Sequence, residues 1–278
     1  MSEVPLPIKV VVVFGAPATG KTTLLRAVEQ LNRRESAGGV HFVTIDEPTD
    51  SEEIRLMINQ MYTETEETIA RGESIAAALQ TRIMQRRAEM YQEFYRQFVA
   101  KELQAAKESH RSAIVVVCDG HVLTDDKLYM QSKVDSGQVS PTQQAEYEAK
   151  KLALLGTMHV AFSKPEAFLE LAFDDMSGTI HAQRLAARAS VAERGVPAHV
   201  FARLAAYSAR TLSTLLAKNS APVMAKLMCD NLSPDQVTAQ FYRFVLTEVL
   251  YGILPETRAM SLDDMPAPSA ASAAEVVC

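Results

Sequence analysis

Residues 8–23 read Ile-Lys-Val-Val-Val-Val-Phe-Gly-Ala-Pro-Ala-Thr-Gly-Lys-Thr-Thr. The first seven are a short, nearly continuous β-branched run that stops at Gly15. Such a run predicts a strand buried on both faces, the mark of a parallel sheet. The next eight, Gly15-Ala16-Pro17-Ala18-Thr19-Gly20-Lys21-Thr22, fit G-x-x-x-x-G-K-[ST], and a helical stretch from Lys21 to about Arg33 follows. A plain glycine turn between strand and helix is the alternative. The order strand, glycine loop, helix favours a phosphate cradle. Glycines let backbone N–H groups curl round an anion, and the helix N-terminus adds its dipole. The cradle would span Gly15 to Thr23. Lys21 would reach the β/γ-phosphates of ATP, and the Thr22 hydroxyl would hold Mg2+.

Working outward, Val40–Ile45 reads as a second strand, Ala113–Cys118 as a third, Ala167–Phe173 as a fourth and Pro222–Cys229 as a possible fifth. Residues 51 to about 110 read as mostly helical. Arg82, Arg86, Arg87, Glu89 and Glu93 fall on the polar side, and Ile83, Met90, Phe94 and Phe98 recur at apolar spacing. Strands alternating with long helices predict an α/β fold. We expect a parallel sheet of about five strands, flanked by helices and joined by right-handed crossovers. One domain would cover 1–258. The aperiodic Met, Pro, Ser and Ala residues of 259–278 predict a disordered tail.

The chain has 278 residues, 47% hydrophobic and 22% charged, which excludes a mainly disordered or collagen-like protein. The 28 basic against 34 acidic residues, net −6, argue against a general nucleic-acid surface. Cys118, Cys229 and Cys278 are too few and too scattered for a disulfide framework or a zinc site. No run approaches the ~20 apolar residues of a membrane span. Residues 8–18 could pass for a signal-peptide core, but Glu3, the late Lys9 and the Gly20-Lys21-Thr22 that follows argue against it. A cytoplasmic location with no membrane partner is the expectation.

Several side chains stand where phosphoryl chemistry would need them. Glu47 follows the second strand, so its carboxylate would face the ligand edge of the sheet; it also reads as a loop acid before a turn proline. Asp119 ends the third strand, where a Mg2+-linked carboxylate would stand or an Asp-Gly turn would form. Arg184 and Arg188 are four apart on a helical stretch, which suits either a solvated ionic face or an arginine-bearing lid. His121, His159 and His181 lack metal-ligand spacing. Met57, Met61, Met84 and Met90 suit core filling or pocket lining.

In this order the motifs resemble the deoxynucleoside kinase family, which includes the herpesvirus thymidine kinases, over most of the chain. Residues 15–23 look like the family phosphate loop, and Asp46-Glu47-Pro48 like its Glu-Pro element. Gln60-Met61-Tyr62 resembles its Met-Tyr segment, and Leu79-Gln80 with Arg87 its base-gripping segment. Asp119-Gly120-His121, with Asp125 six residues beyond Asp119, stands at its Asp/Glu-Arg-Ser/His element. Arg184-x-x-x-Arg188-x-x-x-x-Glu193-x-Gly195-Val196-Pro197 is similar to its lid.

The resemblance implies ATP- and Mg2+-dependent phosphorylation of a deoxynucleoside 5′-hydroxyl, in nucleotide salvage, by a homodimer. It makes Glu47 the base, with Lys21, Arg184 and Arg188 on the phosphates and Thr22 and Asp119 on the metal. Tyr62 and Glu193 would share the 3′-hydroxyl, and Gln80, Arg87 and Asp125 would read the base. An arginine held by a carboxylate favours cytosine or purine edges; the other reading of Arg87 is an exposed member of a basic helix face. The helix from Arg82 to about Leu103 would serve both core and partner. The chain departs from the family at Gly120, where an arginine is usual, and at Ser190, where many lids carry another. It has no tryptophan, and about seven extra residues separate Tyr62 from Gln80. A kinase of another small metabolite and a nucleotide-binding regulatory protein without turnover are the rival readings.

Overall fold

The computed structural model describes residues 6–32, 39–174, 179–186, 198–218 and 223–250. Its strands are β1 (Ile8–Phe14), β2 (Val40–Ile45), β3 (Ala113–Asp119), β4 (Ala167–Ala172) and β5 (Val223–Met228). They form one sheet in the order β2-β3-β1-β4-β5, with every neighbouring pair parallel. Every residue of β3 and β4 is buried. This is why those segments, Asp119 and Glu170 apart, are apolar without alternation. Val11, Val12 and Val13 are fully buried; each such burial stabilises the fold by about 1.5–3 kcal/mol.

The helices among the described residues begin with α1 (Lys21–Leu31), α2 (Glu52–Tyr62), α3 (Glu66–Ala70), α4 (Ala76–Glu93) and α5 (Val99–Glu108). After β3 come α6 (Val122–Asp125), α7 (Gln131–Asp135), α8 (Pro141–Thr157) and α9 (Val160–Ser163). The remainder are α10 (Thr179–Ala186), α11 (Ala198–Lys218) and α12 (Pro234–Phe244). A π-helical turn, Phe94–Phe98, joins α4 to α5, and a second, Asp126–Met130, joins α6 to α7. On one sheet face Val11, Val13, Val115 and Leu169 pack against Leu24, Leu25 and Val28 of α1 and Phe241 of α12. On the other, Val10, Ile114 and Val116 pack against Met84 and Tyr91 of α4, Tyr147 of α8 and Phe162 of α9. None of these helices is long and apolar enough to cross a membrane.

The five strands and the first helix stand where the sequence predicts them. The buried stripe of α4 does not. Its buried side chains are Gln80, Met84, Arg87, Ala88 and Tyr91, among others, and Ile83 and Met90 only pack against the edge of that core. Arg87 is 2% exposed, whereas the side chain of Arg86 stays outside with Glu89. Apolar periodicity misplaces Arg87 because a fully paired charge can be buried, and pairing is not visible in a hydropathy pattern. Of the apolar residues between Arg82 and Leu103, read above as covering both a core and a partner, Met84, Tyr91, Phe94, Val99 and Leu103 pack on the chain's own core, and Tyr95 is exposed. The expected tail, with Arg188, Ser190 and Glu193 of the expected lid, lies outside the described residues.

Candidate functional site

The phosphate loop joins β1 to α1. Gly15 has φ +149°, and a Cβ on it would stand 2.2 Å from the Leu171 carbonyl oxygen, so the end of β4 closes on the loop and only glycine fits. Gly20 caps α1 with φ +100°. The first turn of α1 has neither a side-chain cap nor an acidic residue. Its N–H groups therefore remain available to an anion. The Thr19 hydroxyl donates to the Ala16 carbonyl at 2.9 Å. Lys21 Nζ donates to the carbonyls of Gly15 at 3.1 Å and Ala16 at 3.3 Å, which folds the ammonium over the loop. Thr22 and Thr23 are exposed on the first turn.

Asp119 comes to the loop through strand register. Val13 pairs with Asp119, and the Gly120 N–H donates to the Val13 carbonyl at 2.8 Å. Asp119 is 3% exposed, and its Oδ1 has no hydrogen-bond partner among the described residues. Burial pushes its carboxyl up to about 7, Glu47 adds to the push, and Lys21 and Arg87 hold it down. Glu47 is half-buried just after β2, and its charge acts on Asp119, Asp125, Arg87 and Tyr129 alike. The loop-acid and Asp-Gly-turn readings describe the local backbone, but the Asp119 carboxylate also lies in the field of both Lys21 and Glu47.

Behind Asp119 lies a buried ion pair. Arg87 Nε donates to Asp125 Oδ2 at 2.9 Å, and Arg87 Nη1 donates to the Asp119 carbonyl. Asp125 is 3% exposed; burial pushes its carboxyl up to about 6 against the pull of Arg87. Burial also works against the Arg87 charge, but Asp125 and its acidic neighbours outweigh it. The Tyr91 hydroxyl donates to the Gly120 carbonyl at 2.9 Å and closes the floor. Gln80, two turns before Arg87 on α4, is 5% exposed, and its Oε1 has no partner among the described residues. A buried unpaired carbonyl is costly, so Gln80 Oε1 has room to accept from a water or from a ligand N–H.

Consecutive acids anchor the turn that follows. Asp125 holds α4 through Arg87, and Asp126 holds α8 through Lys151 Nζ at 2.8 Å. The π-helical turn between α6 and α7 then carries Tyr129, which the sequence reading missed. Its ring packs beside Ala16 of the phosphate loop, with Leu128, Leu204 and Tyr207. Burial and the carboxylates of Glu47, Asp125 and Asp119 push its phenol up, so it stays protonated. Tyr62, 37% exposed at the end of α2, adds to the field at Tyr129, and Lys133 Nζ stands 6.0 Å from the Tyr62 ring centre. The residues that separate Tyr62 from Gln80 include the short helix α3.

Arg184 is exposed on α10 with its guanidinium 4.2 Å above the Phe173 ring. Among the described residues no group of three His, Cys, Asp or Glu side chains could hold a metal by itself. One buried carboxylate beside a phosphate loop is instead the donor set that suits Mg2+ arriving with nucleotide. His121 is fully buried. It caps α6, and its Nε2 meets the Phe162 carbonyl at 2.7 Å. Cys118 is buried with its thiol pushed up to about 12, which leaves it inert.

A family model described as the AAA domain, a P-loop nucleotide-binding domain, matches residues 8–126. The matched stretch holds the phosphate loop, Glu47, Gln80, Arg87, Asp119 and Asp125, and ends before α10. Over that stretch the chain is similar to nucleotide-binding P-loop domains. Among curated proteins, none matches the chain.

Proposed function

We propose that the protein transfers the γ-phosphoryl group of ATP to the 5′-hydroxyl of a deoxynucleoside. One observation carries the reading: the buried Arg87–Asp125 pair is bonded to the Asp119 carbonyl, and the same helix carries the buried, unpaired Gln80 Oε1. Gln80 offers a donor and an acceptor to a Watson–Crick edge. Tyr129, in the field of Glu47, Asp125 and Asp119, would offer an aromatic ring to the base.

The steps follow from the chain's own groups. Lys21 exchanges the Gly15 and Ala16 carbonyls for phosphate oxygens. Glu47 accepts the 5′-hydroxyl proton as the oxygen attacks phosphorus, and ADP leaves. Thr22 and the unpaired Asp119 oxygen would hold Mg2+, which supplies charge neutralisation at the phosphates. Arg184 leaves Phe173 to join Arg188 over the transferring group, and Tyr62 with Glu193 would take the 3′-hydroxyl. The Arg87–Asp125 pair presents an acceptor to an exocyclic amine, so deoxycytidine or a purine deoxynucleoside is preferred over thymidine.

The AAA-domain match favours a second reading, nucleotide hydrolysis with water as acceptor. ADP release measured with ATP and Mg2+, with and without each of the four deoxynucleosides, separates them. The kinase reading expects release that depends on the nucleoside. Release at the same rate without any nucleoside supports hydrolysis.

A further inference from the structure

His181 takes no part in the chemistry above, yet it is fully buried against the phosphate loop. Its Nδ1 meets the Pro17 carbonyl at 2.8 Å. A carbonyl has no proton to give, so Nδ1 carries the hydrogen and donates it. The ring lies 5.1 Å from Phe173, and the Arg184 guanidinium lies 4.2 Å from the same Phe173 ring. Loop, histidine, phenylalanine and arginine thus form one continuous chain of contacts, with both ends on functional segments.

The backbone explains why the loop needs this bond. Every described peptide is trans, so a carbonyl and the N–H that follows it point opposite ways. With the Pro17 oxygen held toward α10, the Ala18 N–H is turned away from α10. Ala18 itself has φ +65°, a left-handed conformation that a residue with a Cβ rarely adopts. Flipping the Pro17–Ala18 peptide would rotate that φ by about half a turn, to the negative side that a residue with a Cβ prefers. The loop therefore has a reason to flip, and His181 opposes it.

We infer that His181 is a positioning residue for nucleotide. Its bond to Pro17 keeps the Ala18 N–H facing the phosphates, and it makes formation of the loop and docking of the Arg184 helix a single event. The inference rests on the phosphate-loop reading and not on the identity of the acceptor.

Calorimetric titration of the full chain with MgATP tests it. His181→Phe keeps a ring against Phe173 but loses the donor; His181→Asn gives up the ring and keeps a donor near the Nδ1 position. The expected result is about tenfold or greater weakening in His181→Phe and less than about threefold in His181→Asn, the loss expected for one hydrogen bond. Thermal stability should rank the other way, with Phe above Asn. Adding Ala18→Gly to His181→Phe should recover affinity, because glycine holds this φ without strain. The inference is overturned by His181→Phe binding like the wild type, by His181→Asn binding no better than His181→Phe, or by a loss that Ala18→Gly leaves untouched. Lys21→Ala is the separate control. Unchanged MgATP affinity in that variant removes the phosphate-loop reading itself, and the latch with it.

Discussion

A Cβ on Gly120 would stand 2.8 Å from Arg87 Nη2, and Gly120 has φ +77°. The missing side chain is therefore part of how Arg87 is buried. The motif order in the sequence leads to the expectation of an arginine after the acid at the end of the third strand. Here the guanidinium of Arg87 fills that space from α4, bonded to Asp125 and to the Asp119 carbonyl. Gly120 is thus compatible with an intact site.

Gly120→Ala should destabilise the fold by about 2–4 kcal/mol, from the left-handed backbone plus displacement of a buried guanidinium. In an Arg87→Met background the same change should cost only about 1–2 kcal/mol, the backbone part alone. Urea denaturation of the four proteins measures this coupling. Equal costs in both backgrounds would mean that the two residues do not share the space.

Arg87→Met alone leaves Asp125 charged and unpaired in the interior, and should cost about 3–5 kcal/mol. Arg87→Met with Asp125→Ala should cost less than the sum of the single changes. The same double variant should raise kcat/KM for thymidine relative to deoxycytidine, because the acceptor for the exocyclic amine is gone. An unchanged ratio would remove the pair from base selection.

Glu47→Gln keeps the shape of the side chain and loses the base, so kcat should fall by about 10²–10⁴-fold with little change in nucleoside Kd. Lys21→Ala should abolish transfer and leave the circular dichroism spectrum intact. A fall of less than about tenfold in Glu47→Gln would move the base to Asp119, the buried carboxylate that feels both Glu47 and Lys21.

Acid should weaken the fold through His121. Burial lowers its pKa to about 4, with Arg87 adding to the shift and the Phe162 carbonyl opposing it. Between that value and the ordinary value near 6.5, the unfolded chain binds the proton that the folded chain refuses. Stability from this group is complete above pH 6.5 and falls as pH drops toward 4, by about 3 kcal/mol in all. Asp119 and Asp125, whose pKa values are raised, act in the opposite sense, so the comparison must be internal. His121→Asn keeps a capping side chain and does not titrate. Denaturation at pH 7, 6, 5 and 4 should show the wild type losing stability relative to this variant. Parallel curves would contradict the assignment.

The sheet was legible because each strand is an apolar run bounded by turn residues, and the phosphate loop because its glycines sit at fixed spacing. Arg87 was placed on the wrong face by periodicity, since its burial depends on Asp125, 38 residues away, and on the absent Cβ of Gly120. Tyr129 was missed because its place is set by a π-helical turn that two buried ion pairs hold, and no local pattern encodes those pairs. His181 lacked any ligand spacing, and its partner is a backbone carbonyl 164 residues away.

The central claim is that the phosphoryl group ends on a deoxynucleoside. Phosphorus NMR of the full chain with ATP, Mg2+ and deoxycytidine follows that group directly. The account predicts that the γ-phosphorus signal is replaced by a phosphomonoester coupled to the 5′ protons of deoxycytidine, in step with ADP. The same spectrum gaining only inorganic phosphate, with no ester for deoxycytidine or either purine deoxynucleoside, would contradict it.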